Sequence, residues 1–95
     1  MYEYLLPIGS VVKLRELDKN IMIFGVLQQI PNNENEIFDY VGVFYPEGHH
    51  DSRLHLGFNH GDIEKIVCRG FEDKQRETFI KILDFVSEKV KNNRE

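Results

Sequence analysis

Residues 21–27, Ile21-Met22-Ile23-Phe24-Gly25-Val26-Leu27, form an almost unbroken apolar run. Such a run fits a strand buried on both faces, or one crossing a small barrel, with Gly25 at a bend or close approach. Upstream, Gly9 and Ser10 open a β-branched run, Val11-Val12-Lys13-Leu14, and Leu17-Asp18-Lys19-Asn20 supplies the turn that follows. Downstream, Pro31-Asn32-Asn33-Glu34-Asn35-Glu36 reads as a polar loop, because neither helix nor strand gains from that composition. Residues 38–45 then alternate, with Phe38, Tyr40, Gly42 and Phe44 on one side and Val41, Val43 and Tyr45 on the other, until Pro46-Glu47-Gly48 ends the run. Leu54, Leu56 and Phe58 give the cleanest period of two in the chain. Asn59 caps a short helical turn, with Asp62 three residues on to reach back to a free amide. Ile66-Val67-Cys68-Arg69 is the last strand signal before Gly70.

After Gly70 the period changes. Glu72 and Asp73 put negative charge where a helix macrodipole favours it, and Asp73 is the expected cap. Phe79, Ile82, Leu83, Val86 and Val90 recur as one helical face, and Glu77 with Lys81 forms an i, i+4 pair outside it. The reading is an α+β domain. About five antiparallel strands, from 5 to 70, curl into an SH3-like small barrel or lie as a flatter sheet, followed by one C-terminal helix over about 73–91. The glycine-marked bends favour the barrel. Phe79, Leu83 and Val86 are expected against Ile23, Val43 and Leu56.

Ninety-five residues, 41% hydrophobic, suffice for one domain with a small core and no interdomain linker. Twelve basic against sixteen acidic residues give a net charge of -4, which argues against nucleic acid as a partner. No run is long enough to span a membrane and no signal peptide opens the chain. The single cysteine, Cys68, has no intrachain partner. A cytoplasmic protein that stands on packing alone is expected.

The residue types that carry chemistry do not assemble into a catalytic set. His49, His50, His55 and His60 fall within twelve residues, but their spacing matches no metal-ligand pattern, so solvated or locally hydrogen-bonded rings are expected and no metal. In a strand, His55 points away from Leu54 and Leu56, toward solvent or a partner. Cys68 beside Arg69 lacks a nearby base, and a buried, inert thiol fits its β-branched neighbours better. Asp39 with Glu47 and Asp62 with Glu64 read as surface carboxylates, and Gly57-Phe58-Asn59-His60-Gly61 lacks phosphate-loop spacing. No enzyme and no cofactor is expected. Binding is the remaining class. The apolar zone of the helix is wider than one buried face needs, with Ile80 on one flank and Phe85 on the other. Ile80, Phe85, Tyr45 and His55 are the expected partner-binding residues.

Three segments carry a family likeness: Leu6-Pro7-Ile8-Gly9-Ser10-Val11-Val12, Tyr40-Val41-Gly42-Val43-Phe44-Tyr45-Pro46-Glu47-Gly48, and Phe58 to Val67 with its Phe-Asn-His-Gly-Asp start. Together they resemble a small domain-of-unknown-function family of Gram-positive bacteria, often encoded beside type VII secretion loci and their LXG-type toxins. The likeness runs from about Leu5 to the helix. It implies a cytoplasmic, non-enzymatic accessory protein, a chaperone or targeting adaptor whose partner is the secreted toxin or another secretion factor. A small-molecule or metal-binding regulatory domain, built on the aromatic residues and histidines, is the alternative. The same segments have structural uses of their own. Pro7 fixes the chain entering the first strand, Gly9 permits a bend, and Asn59 is a cap.

Overall fold

The computed structural model of the chain describes residues 1–30 and 33–94. Five strands, β1 (Val11–Leu14), β2 (Asn20–Ile30), β3 (Asn33–Phe44), β4 (Leu56–Phe58) and β5 (Ile63–Cys68), precede one helix, α1 (Lys74–Arg94). All the pairings are antiparallel, and the sheet runs β4-β3-β2-β1-β5. The expected α+β architecture is therefore what forms. Strands β1 to β4 make a meander. After a 3-10 turn at His60–Asp62 the chain returns to the far side of β1. Among the described residues β4 and β5 do not pair, so the sheet keeps two edges.

Two local expectations change. The polar stretch after Pro31 is not all loop, because β3 begins at Asn33 and Ile30 pairs with Asn33 across from it. Residues 31 and 32 lie outside the described residues. Nor is β2 buried on both faces: Ile21 and Ile23 are fully buried, whereas Met22 is half-buried and Phe24 exposed. Gly25 does mark an irregularity, a shift of register between Ile23 and Gly25. At Gly42, opposite Ile23, a Cβ would lie 2.5 Å from Ile21 Cγ2 and 2.9 Å from the Met22 carbonyl oxygen, so only glycine fits.

The core lies on one face of the sheet. Val12, Ile21, Ile23, Tyr40 and Phe58 supply the strands' share, and Leu5, Leu6 and Ile80 cover them. Leu5 and Leu6 come from the N-terminal segment, which Gly9 (φ +92°) turns into β1. Helix α1 starts as read, with Asp73 Oδ1 accepting the Arg76 N–H at 3.1 Å. It docks by a different face from the one expected. Ile80 is buried and Leu83 packs partly against the core, while Phe79 and Val86 are 44% and 50% exposed. The N-terminal segment decides this. It offers polar partners along its length, and α1 turns Arg76, Asp84 and Ser87 toward them. The Arg76 guanidinium donates to the Leu5 carbonyl, the Tyr2 N–H donates to Asp84 Oδ1 at 2.8 Å, and the Tyr2 hydroxyl meets Ser87 Oγ at 3.3 Å. At 100° per residue those three share a side with Ile80 and Leu83. Ile80, expected on a partner-binding flank, is therefore a core residue.

Candidate functional site

Three features of this fold bear on function, and the first explains the family segments. The fully buried Tyr40 hydroxyl accepts the Leu6 N–H at 3.0 Å and lies 2.7 Å from His60 Nδ1. The hydroxyl thus bridges the Leu6 amide and the His60 ring, and the imidazole tautomer sets which of the two shares its proton with the other. Asp39 Oδ1 accepts the Tyr4 hydroxyl at 2.9 Å and Asp39 Oδ2 the His60 N–H at 2.9 Å. Asn59 sits at the cap position, but its Oδ1 accepts the Asp39 N–H at 3.0 Å, and Asp62 Oδ2 accepts the Asn59 N–H at 2.9 Å. Ser10 Oγ donates to the Pro7 carbonyl and accepts the Gly70 N–H. The three segments thus meet in one hydrogen-bond network that ties the N-terminal segment to β3 and to the turn before β5. Burial, with the Asp39 carboxylate, raises both phenols above the usual tyrosine range, Tyr4 most. A phenol held neutral is a poor nucleophile, and among the described residues no buried side-chain nitrogen or oxygen lacks a partner. The network is a clasp between the N-terminal segment and the sheet.

The second feature is the back of the sheet. Met22 and Val43 are cross-strand partners facing away from the core, and the chain between β3 and β4 folds over them. A cavity of about 330 Å³ lies between Met22, Phe24, Val43, Gly48, His49 and His55, and one of about 220 Å³ adjoins it beside His50, Asp51 and Leu54. His55 stands edge-on to the Phe24 ring, centroids 4.7 Å apart, and its Nε2 is 2.8 Å from His49 Nδ1. His55 is thus locally hydrogen-bonded rather than solvent-directed. Asp51 is claimed by a bidentate Arg53, which holds its carboxyl below the ordinary value, and Glu47 pairs with Lys19 at 2.7 Å. Among the described residues no three metal-ligating side chains cluster. Glu64 likewise pairs with Lys13 at 2.8 Å, in keeping with the surface carboxylate expected there.

The third feature is the outside of α1. Phe79, Ile82, Phe85 and Val86 follow one another along it, 44%, 53%, 62% and 50% exposed, and Phe71 just before the helix is 79% exposed. Strand β5, at the sheet edge, leaves Ile66 and Val67 exposed as well, and Cys68 is exposed rather than buried because an edge strand has no neighbour to cover it. The four residues read from the sequence do not form one patch. Ile80 is in the core, Phe85 rides on the helix, and His55 sits across the sheet from it. Tyr45 is half exposed at the end of β3, its N–H bonded to the Asn20 carbonyl. Phe79, Ile82 and Val86 join Phe85 as surface residues. Their spacing was visible in the sequence, but not which side of the helix the N-terminal segment would occupy.

The fold is thus a small α+β domain: a five-stranded antiparallel sheet held by an N-terminal clasp, with one amphipathic helix whose Phe79, Ile82, Phe85 and Val86 stay exposed. The chain belongs to the family described as Domain of unknown function (DUF4176), whose family model matches residues 5–79. No curated protein and no solved structure matches the chain. No helix among the described residues is long and apolar enough to cross a membrane.

Proposed function

We propose that this chain is a non-enzymatic, cytoplasmic protein-binding accessory factor, a chaperone or targeting adaptor for an LXG-type toxin of a type VII secretion locus. The observation that carries the reading is the outward stripe of Phe79, Ile82, Phe85 and Val86. Monomeric soluble domains rarely leave so many large apolar side chains contiguous and exposed, and a protein interface is their usual purpose. The likeness of the three segments to a family encoded beside such toxins supplies the partner. The clasp's hydrogen bonds tie the N-terminal segment to the sheet, and the stripe lies on the opposite side of α1 from that segment.

Co-expression with the toxin encoded beside it tests the reading. The two chains should co-purify, and Phe85→Ala should weaken the complex by about 30-fold, as expected for an aromatic anchor worth more than about 2 kcal/mol. Lys81→Ala, a charged neighbour one turn before Phe85, should change affinity little, as a rim residue does. Both variants should melt within a few degrees of the parent. Absence of a complex with the parent chain, or equal affinity in Phe85→Ala, would remove the basis of the proposal.

A further inference from the structure

The histidine pair on the back of the sheet supports an inference independent of the helix stripe. We propose that His49 and His55 form a two-imidazole site for a late first-row divalent cation, Zn²⁺, Ni²⁺ or Cu²⁺, with the remaining positions filled by water or by a donor from another molecule. His49 Nδ1 and His55 Nε2 face each other at 2.8 Å. One of the two must present a bare lone pair to accept the other's proton, so the pair holds at least one neutral imidazole, the form that binds metal. Tetrahedral zinc with nitrogens at about 2.0–2.1 Å would hold them about 3.4 Å apart, so a cation replaces the shared proton when the rings open by roughly 0.5 Å. The His49 ring has room for that movement, since it lies in the exposed chain between β3 and β4 and borders the 330 Å³ cavity. His55 is the fixed member. It immediately precedes β4, with its ring against Phe24.

Nearby groups define the site by what they do not provide. Asp51 accepts from Arg53 on both oxygens and Glu47 pairs with Lys19 through Oε1, so drawing either carboxylate onto a cation would compete with an ion pair. His50 lines the neighbouring cavity together with His55. The floor is apolar, formed by Met22, Phe24 and Val43. Two nitrogen donors with open positions favour borderline cations over Mg²⁺ or Ca²⁺, which demand oxygen, and set the order Cu²⁺ above Ni²⁺ and Zn²⁺.

The test is calorimetric titration of the untagged protein with each metal salt at pH 7.5. One equivalent should bind, Cu²⁺ most tightly, with Mg²⁺ silent. His49→Gln and His55→Gln should each weaken binding at least tenfold, and His50→Gln should not. The Cu²⁺ complex should show nitrogen hyperfine splitting from two imidazoles by electron paramagnetic resonance. Circular dichroism melts of the glutamine variants guard against loss of fold. If a glutamine variant fails to fold, the splitting of the parent's Cu²⁺ complex decides alone. No saturable binding below 1 mM metal (on the order of a nonspecific surface site), binding unchanged in folded His49→Gln and His55→Gln, or a Cu²⁺ spectrum without two imidazole nitrogens would overturn the assignment.

Discussion

At the scale of single residues, Tyr40 joins the N-terminal segment, β3 and the turn before β5. Its ring is fully buried and tilted against Phe58, and its hydroxyl serves both the Leu6 amide and His60. Phenylalanine would keep the packing and strand both partners. A buried donor left unpaired costs about 1–3 kcal/mol, and here the orphan is a backbone amide beside the core leucines. Tyr40→Phe should therefore lose about 2 kcal/mol in urea denaturation, a large part of what a domain this size has. Hydrogen exchange should speed up first at Leu6. Unchanged stability in that variant would mean that water replaces the hydroxyl and that the clasp is dispensable. The sequence showed Tyr40 as one aromatic on an alternating strand. It did not show that a histidine twenty residues on would meet it, because that contact depends on the β3–β4 register.

At the scale of elements, the strands were legible and the helix's orientation was not. Alternation and turn residues located β1, β4 and β5 to within a few residues, and Gly25 marked the break in β2. The polar start of β3 escaped because Asn33 to Glu36 lacks apolar alternation, and only pairing with the end of β2 makes it strand. For α1, the most apolar side was assigned to the core, as amphipathicity ordinarily directs. That rule assumes that the helix meets an apolar surface. This one meets an N-terminal segment with free carbonyl and amide groups, and Arg76 and Asp84 answer them while Ile80 and Leu83 reach the core. The consequence is measurable. Ile80→Ala should cost about 2–4 kcal/mol through lost burial and a cavity. Phe79→Ala and Val86→Ala should stay within about 0.5 kcal/mol of the parent in the absence of partner. The opposite ranking in chemical denaturation would return the helix to the orientation the sequence alone suggests.

At the scale of the whole molecule, the N-terminal segment acts as a strap between sheet and helix. Leu5 and Leu6 close the core, Tyr2 and the terminal amine hold Asp84, and Tyr4 and Tyr40 anchor the strap to the sheet. Both of those phenols are neutral and held above the ordinary tyrosine value, by burial first. A group whose proton is bound more tightly in the folded chain stabilises it fully below its unfolded value, about 10 for tyrosine. That contribution is lost as pH rises from there toward the folded value. Alkali should therefore unfasten the strap. As pH climbs above about 10, phenolate formation at Tyr4 sets a negative charge against Asp39, and at Tyr40 it places a charge in the buried core close to the same carboxylate. The helix, which docks on the strap, should loosen in the same step. The chain has no tryptophan, so absorbance near 295 nm follows tyrosine ionisation cleanly, alongside the helical circular dichroism. The late part of the ionisation curve should coincide with loss of helical signal, and Tyr40→Phe should shrink that part and move the unfolding to lower pH. If the tyrosines ionise to completion while α1 stays intact, the strap does not depend on its phenols, and the apolar contacts of Leu5, Leu6 and Ile80 must hold the two halves together alone.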